Sequence, residues 1–205
     1  MILIGLTGQT GAGKSTVTSM LRQRGFAVID ADECSHEVTK PGAPCLLKLC
    51  EAFGADLLDE NGALNRKLLA SRAFSDKEQK KHLEEIIFPF IIKNIKEKLA
   101  LLAAKGYRLV ILDAPTLFES GIDAMCDQVI SVTAPQETRL ARILKRDGMT
   151  EEQARLRMDA QLPEEFYRQH SRHIIENASS EGKLAEQVEA LCTLLAEVEG
   201  CQVDE

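Results

Sequence analysis

The sequence lacks the features that mark several broad classes of protein. Its basic residues do not outnumber its acidic ones, since 25 Lys and Arg stand against 32 Asp and Glu, giving a formal net charge of -7. This balance argues against a general nucleic-acid or membrane-surface binder, whose footprint would be basic. No apolar run approaches the length of about 20 residues that a membrane helix needs. We therefore expect neither nucleic acid nor membrane as a partner.

The cysteines lack the spacing of a zinc site. The six residues, at positions 34, 45, 50, 126, 192 and 201, include no Cys-x-x-Cys pair and no suitable spacing to histidine. The first residues are not the apolar segment of a signal peptide, because glycines interrupt them from Gly5 onward. Free thiols in a reducing cytoplasm are the expectation.

Four short apolar runs predict strands buried on both faces, as in a parallel sheet covered by helices. They are 2–6, 26–29, 109–112 and 129–132, with 173–175 as a weaker fifth candidate. Helical segments are expected at 15–24, 75–105 and 136–146, and a last helix carries Leu184, Val188, Leu191, Leu195 and Val198 on one face. The alternation predicts an α/β fold with a parallel five-stranded sheet flanked by helices and right-handed crossovers.

The spacing of the predicted strands is uneven. The second strand ends near Asp30 and the third begins near Arg108, which is far more chain than a simple crossover needs. We therefore predict an inserted helical substrate lobe over 32–107, with a long helix kinked or broken at Pro89. A second, highly charged excursion over 141–171 predicts a mobile helical lid. The nucleotide-binding core would comprise 1–31, 108–140 and 172–205.

The segment Gly8–Ser15, GQTGAGKS, fits the pattern G-x-x-x-x-G-K-[ST] of a P-loop. A glycine-rich turn without function is the alternative, but a predicted strand before the segment and a helix after it favour the P-loop. In a P-loop NTPase-type fold, backbone N–H groups and the helix N-terminus hold phosphate. We expect Lys14 to reach the β- and γ-phosphates of ATP, Ser15 to ligate Mg²⁺ and Thr16 to bond the α-phosphate. The residues expected to bind ATP are Gly8, Gly11, Ala12, Gly13, Lys14, Ser15 and Thr16.

Two acids, Asp30 and Asp32, follow the second predicted strand in the stretch FAVIDADEC. The carboxyl ends of strands are where open α/β sheets bind ligands. If the backbone stays extended, both side chains point to one side. A phosphotransferase needs a carboxylate that orients the acceptor hydroxyl and accepts its proton. The alternative is capping of the following helix, which suits Asp30 better than Asp32.

The stretch RLVILDAPTLFESG is an apolar strand that ends in Asp113. In P-loop proteins an Asp at this place holds Mg²⁺. The following residues Leu117, Phe118 and Glu119 are expected in a loop facing the same cleft, where Phe118 is either core or the wall of a substrate pocket.

Three arginines, Arg139, Arg142 and Arg146, fall on one face of a predicted helix. Arginines on a closing lid stabilise the charge of phosphoryl transfer and exclude water. The alternative for each is a solvated helix face paired with neighbouring glutamates. Arg66, within the predicted insertion, could meet an anionic acceptor.

Taken together, these residues resemble the dephospho-coenzyme A kinase family, whose members phosphorylate the ribose 3′-hydroxyl of dephospho-CoA in the last step of CoA synthesis. The likeness covers nearly the whole chain, through IGLTGQTGAGKST, VIDADECSHEVTKPG, FGADLLDENGALNRKLLASRAF, LDAPTLFESG, ETRLARILKRDGMTEEQARLRMDAQ and HIIEN. The P-loop is shared by many kinases, whereas the combination around Asp32 and Asp113 is much more specific.

The resemblance implies ATP and Mg²⁺ as cofactors and dephospho-CoA as substrate, in a monomer or weak homo-oligomer. It implies that Asp32 is the catalytic base, that Lys14 bridges the β- and γ-phosphates and that Asp113 lies near the metal. Arg142 and Arg146 would serve the lid and the phosphates, and the CoA pocket would include Arg66, Leu117, Phe118 and Glu119. The sequence departs from the family at His36 and Phe88, where Arg and His are usual, so details of the acceptor pocket differ.

Two alternatives to this reading stay open at the level of sequence. Another small-molecule P-loop kinase, for a nucleoside or a nucleoside monophosphate, would share the loop and the lid. A nucleotide-dependent switch is the second, although the guanine-specifying N-K-x-D motif is absent from the sequence.

Overall fold

The computed structural model describes residues 1–178 and 181–200, in which strands and helices alternate. The strands are β1 (Ile2–Gly8), β2 (Ala27–Asp30), β3 (Leu109–Asp113), β4 (Gln128–Thr133) and β5 (His173–Glu176). The helices are α1 (Lys14–Gln23), α2 (Ala31–Val38), α3 (Pro44–Phe53), α4 (Arg66–Ala73), α5 (Lys77–Ala104), α6 (Gln136–Asp147), α7 (Glu151–Asp159), α8 (Glu164–His170) and α9 (Glu181–Gly200). Short 3₁₀ helices lie at Ala55–Leu57 and Ile122–Met125.

The strands form one sheet in the order β2-β3-β1-β4-β5. β1 lies parallel to both β3 and β4, and β4 lies parallel to β5. This is the predicted parallel five-stranded sheet, and the weak candidate at 173–175 is its fifth strand. The loops that follow β1, β3, β4 and β5 therefore all start at the same edge of the sheet.

The core of the sheet is formed by apolar side chains of both the strands and the flanking helices. Ile4, Leu6, Ile111 and Ile130 have no exposed surface. Val17 and Leu21 of α1 pack into the same cluster, as do Leu184, Val188, Leu191 and Leu195 of α9. The predicted face of the last helix is thus confirmed at these four positions, and the Val198 side chain lies outside the described residues.

The chain divides into two compact units. The first unit contains Met1–Val28 and Lys105–Glu205, and the second contains Ile29–Ala104. The second unit is helical beyond Asp30 and has a core of its own. That core consists of Cys45, Leu49, Phe53, Leu57, Leu69 and Ala73, with partly buried residues of α5 packed against it.

Of the kink or break predicted at Pro89, the break does not occur, because α5 runs without interruption from Lys77 to Ala104. Proline removes one hydrogen bond from a helix and crowds the preceding turn. Ile86, Ile87 and Phe90 pack against the core on both sides of the proline, so tertiary packing keeps the helix intact.

The charged excursion over 141–171 consists of the second half of α6, followed by α7 and α8. Position 141, where we placed the start of a lid, falls inside α6. Ala154 and Met158 of α7 pack on Leu140 and Ile143 of α6, and all four side chains are at least nine-tenths buried. The two helices therefore share a small apolar core.

Among the described cysteines, Cys34, Cys45, Cys50, Cys126 and Cys192 are free thiols, as predicted. Cys201 lies outside the described residues. Burial raises the pKa of the Cys34 thiol, which disfavours the reactive thiolate. The described part of the chain holds no helix both long and apolar enough to cross a membrane.

The packing of α9 on the sheet gives a first prediction. Leu191→Ala should lower the free energy of unfolding by about 2–5 kcal/mol, because the side chain is 4% exposed within the sheet core and its loss leaves a cavity. Leu194→Ala is the matched control, since Leu194 on the same helix is 45% exposed. Urea unfolding monitored by circular dichroism measures both, and equal losses in the two variants would contradict the assignment of the buried face.

Candidate active site

The P-loop connects β1 to α1 at the carboxyl edge of the sheet. Gly13 adopts the left-handed conformation at the N-cap of α1, with φ of 96°, and no side chain caps the helix. The first N–H groups of α1 are therefore available to an anion, which the helix dipole favours. Ser15 and Thr16 are exposed at this end of the helix, whereas Ala12 is buried.

Lys14 and Asp113 form an ion pair beside the loop. The Lys14 ammonium donates to Asp113 Oδ1, with side chains only 16% and 6% exposed. Thr18 Oγ1 donates to the other oxygen of Asp113 at 2.7 Å. The structure thus brings together the predicted phosphate-binding lysine and the predicted metal-binding carboxylate, which come from opposite halves of the chain.

Asp113 and Ser15 offer the oxygen ligands that magnesium prefers. Magnesium keeps several waters and is bound by one or two carboxylates together with substrate phosphates, so it requires no cage made wholly of protein. In the described ranges no group of three or more His, Cys, Asp or Glu side chains could hold a metal ion. The two residues fit a magnesium ion that is bound together with a nucleotide.

Arg142 holds the backbone of the P-loop. Its Nη1 donates to the carbonyl oxygens of Gly11 and Ala12, both at 3.3 Å. Its Nη2 donates to the backbone and side-chain oxygens of Asn177, also at 3.3 Å. The predicted lid arginine therefore braces the loop in this structure.

Asn177 was not singled out for a role by the sequence. It follows the end of β5, is 7% exposed, and donates from Nδ2 to the carbonyl of Ala12 at 2.9 Å. A Cβ atom on Gly13 would lie 2.2 Å from this nitrogen, so the close approach requires glycine there. The available sequence signal was a polar residue two positions after the last predicted strand, 173–175.

The other two arginines of the predicted face have different surroundings. Arg139 is 7% exposed, its Nε donates to the Ala134 carbonyl at 3.2 Å, and burial lowers the pKa of its guanidinium. Arg146 pairs with Asp147 at 2.6 Å, and this contact lowers the pKa of the Asp147 carboxyl. Arg146 is thus an exposed, ion-paired residue in this structure, although its partner is an aspartate and not one of the glutamates considered above.

Asp30 caps α2, because its Oδ1 accepts from the backbone N–H groups of Asp32 and Glu33 at 2.9 and 3.1 Å. The helix begins at Ala31, so the backbone is not extended through Asp32, and the condition under which the two acids would share a side is not met. The capping interaction turns the chain into a helix at that point. Asp32 lies in the first turn of α2 with an exposed side chain.

Arg66 also lies in the second unit, at the start of α4, where its Nη2 donates to Thr39 Oγ1 at 2.8 Å. Thr39 is buried and follows α2 directly. This contact ties the N-terminus of α4 to the helix that carries Asp32.

The loop after β3 has one buried and two accessible candidates. Leu117 has no exposed surface, so it anchors the loop in the protein interior, whereas Phe118 is half-buried and Glu119 is exposed. The Phe118 ring meets those of Phe166 and Tyr167 edge-on at 5.3 and 5.7 Å. Burial raises the pKa of the Tyr167 hydroxyl, which donates to Glu119 Oε1 at 3.5 Å. The loop is thus fixed to α8.

The site lies in a stretch that matches a known family. The family model for dephospho-CoA kinase matches residues 2–182, a range that contains every candidate residue described above. The chain belongs to the dephospho-CoA kinase family.

Individual relatives and solved structures resemble the chain over nearly its full length. The dephospho-CoA kinase of Syntrophotalea carbinolica is 40% identical over 195 residues, which are 95% of this chain and 92% of that protein. The structure of TT1252 from Thermus thermophilus has a TM-score of 0.81 at 34% identity, covering 96% of this chain and 97% of the other. Dephospho-CoA kinase from Campylobacter jejuni has a TM-score of 0.71 at 28% identity, with 95% and 97% covered.

The role of Asn177 in this dephospho-CoA kinase family member can be tested directly. Asn177→Ala should weaken nucleotide binding about tenfold, because it removes the shorter of the two hydrogen bonds to the buried Ala12 carbonyl, together with one acceptor of Arg142, and so loosens the loop. Isothermal titration with ATP measures the change.

Gln187→Ala is the matched control. Gln187 bonds the backbone of Glu176, the residue that precedes Asn177. Its Oε1 accepts from the Glu176 N–H at 2.9 Å and its Nε2 donates to the Glu176 carbonyl at 3.0 Å. Its loss should reduce stability and leave ATP affinity unchanged. Equal weakening in both variants would mean that Asn177 acts only through the end of β5.

Proposed function

We propose that the chain transfers the γ-phosphoryl group of ATP to the ribose 3′-hydroxyl of dephospho-CoA, yielding CoA and ADP. The observation that carries this proposal is family membership over residues 2–182, a range that includes an intact P-loop and an Asp113 paired with the P-loop lysine. The reaction is the final step of coenzyme A synthesis.

ATP is bound by the backbone N–H groups of the P-loop, with Thr16 on the α-phosphate and Lys14 on the β- and γ-phosphates. The uncapped N-terminus of α1 and the left-handed Gly13 support this assignment. Lys14 would leave its partner Asp113 to reach the phosphates, and Asp113 and Ser15 would hold a magnesium ion, which when bound would neutralise negative charge on the phosphates.

Asp32 orients the 3′-hydroxyl and accepts its proton as the oxygen attacks the γ-phosphorus. Two observations support this role. The Asp32 side chain is exposed, and its backbone is fixed by the Asp30 cap. A positioned base of this kind contributes roughly 10²–10⁴-fold to rate.

Arg142 and Arg146 neutralise charge that develops on the transferred phosphoryl group, and the segment 141–171 acts as the lid that excludes water. The exposed ion pairs of this segment support a movable element. Asp147 binds Arg157 as well as Arg146, and exchange among such exposed pairs costs little energy.

Dephospho-CoA is bound by Arg66 and by the loop residues Phe118 and Glu119. The buried Leu117 anchors that loop. Arg66 offers a guanidinium suited to a phosphate group of the acceptor. The Phe118 ring packs in T-shaped geometry on the Phe166 and Tyr167 rings, so it is held in a defined orientation.

Acceptor specificity tests the proposed reaction. ATP turnover, measured as the rate of ADP release, should be fast with dephospho-CoA and negligible with nucleoside monophosphates. CoA is the matched control substrate, since it differs only by a phosphate on the 3′-oxygen and should not be phosphorylated. Mass spectrometry should find one added phosphoryl group on dephospho-CoA. Turnover with a nucleoside or nucleoside monophosphate but not with dephospho-CoA would establish the alternative kinase.

The general base is tested by Asp32→Asn, which keeps the shape of the side chain but cannot accept the proton. We expect kcat to fall by about 10²–10⁴-fold with KM values within a few-fold of wild type. Glu33→Gln is the control, because Glu33 is the next residue of α2 and is also exposed. If Asp32→Asn retains kcat within a few-fold of wild type, the assignment is wrong.

A further inference from the structure

Two glutamine side chains tie the P-loop to the linker 160–163 between α7 and α8. The backbone N–H of Thr10 donates to Gln161 Oε1 at 2.7 Å. Gln9 Nε2 donates to the carbonyl of Leu162 at 3.2 Å. In both contacts the P-loop donates and the linker accepts, and the residues are adjacent on each side, so they form a two-point connection, which we call the glutamine tether.

The linker side of the glutamine tether is held in place by packing. The Gln161 N–H donates to the carbonyl of Met158 at 3.2 Å, continuing the last turn of α7. Met158 is 5% exposed and packs on Leu140 and Ile143 of α6. Gln161 is therefore positioned by the shared core of α6 and α7, and its amide transmits that position to Thr10.

The loop side of the glutamine tether has an energetic cost. Gln9 is 5% exposed, and its Oε1 is buried without a hydrogen-bond partner. A buried polar atom without a partner destabilises the folded state. Such local costs are characteristic of functional sites, where geometry matters more than stability.

Thr10 lies within the P-loop and directly precedes Gly11, one of the residues that we propose bind the phosphates of ATP. Gly11 itself has φ of 77°, a conformation open to glycine, and it has no side chain with which to hold the loop. Fixing the Thr10 N–H therefore restricts the peptide groups that lead into the phosphate-binding stretch. Because the loop is already ordered before the nucleotide binds, binding costs less conformational entropy of the loop.

We propose that Gln161 is a positioning residue for the nucleotide, holding the P-loop in its binding conformation through Thr10. The glutamine tether thereby couples the phosphate site to the α6–α7 segment. This inference rests on the proposed function only in assuming that the loop binds ATP phosphates. It assigns to Gln161 no contact with substrate.

The test replaces Gln161 by methionine, which has a similar length but no acceptor oxygen. Calorimetry with ATP in the absence of acceptor should show a Kd raised about three- to tenfold, the equivalent of one lost hydrogen bond. The KM for ATP should rise in parallel, with kcat and the KM for dephospho-CoA within twofold of wild type. Hydrogen exchange of the Thr10 amide, followed by NMR, should become faster.

Gln153→Met is the matched control. Gln153 lies on α7 and its Oε1 accepts from the Thr150 backbone N–H within a capping box. Its loss should weaken α7 without changing ATP affinity or Thr10 exchange. Gln161→Glu is the conservative variant, since a carboxylate can still accept from Thr10 and should preserve slow exchange.

An unchanged ATP affinity in Gln161→Met would overturn the proposal, as would an equal loss in Gln153→Met. Fast Thr10 exchange in Gln161→Glu would also count against it. Because ATP binding is measured without acceptor, failure of the wild-type protein to phosphorylate dephospho-CoA would refute the proposed reaction while leaving the role of Gln161 to be decided by the titration.

Discussion

The candidate site depends on the position of β1, which lies between β3 and β4 and runs parallel to both. The register pairs Leu6 with Asp113 and Thr7 with Ser131, so these strands reach the carboxyl edge almost together. The P-loop leaves β1 at this edge, beside Asp113 at the end of β3. The Lys14–Asp113 pair follows from that register, because the two residues are 99 positions apart in sequence.

A loop rich in glycine cannot hold its own shape, since glycine has the greatest conformational freedom and offers no side chain to pack. In this protein neighbouring elements supply what the loop lacks. Arg142 and Asn177 donate to the carbonyls of Gly11 and Ala12, and Gln161 accepts from Thr10. The loop is thus constrained through its backbone, and the N–H groups at the start of α1 are left without side-chain caps.

Several of these features were predictable because their causes are local. Continuous apolar runs predicted the strands, since a strand covered on both faces must be apolar throughout, and helical spacing predicted the buried face of α9. The P-loop was recognisable because its glycines and Lys14 are contiguous. Of the kink or break expected at Pro89, the break does not occur because packing on both sides of a proline can outweigh its local cost. The extended backbone that would have placed Asp30 and Asp32 on one side is absent because the Asp30 cap starts a helix.

The sequence by itself therefore determined the fold class, the family and the phosphate-binding loop, since each is recognised from residues that lie close together in the sequence. Only the tertiary structure decided which side chains brace that loop. Asn177 and Gln161 meet it across 165 and 151 positions, and such contacts depend on strand register and on the packing of α6 and α7. A lone Asn or Gln has no local signature, because its role is defined by the backbone atom it reaches and not by its neighbours in the chain.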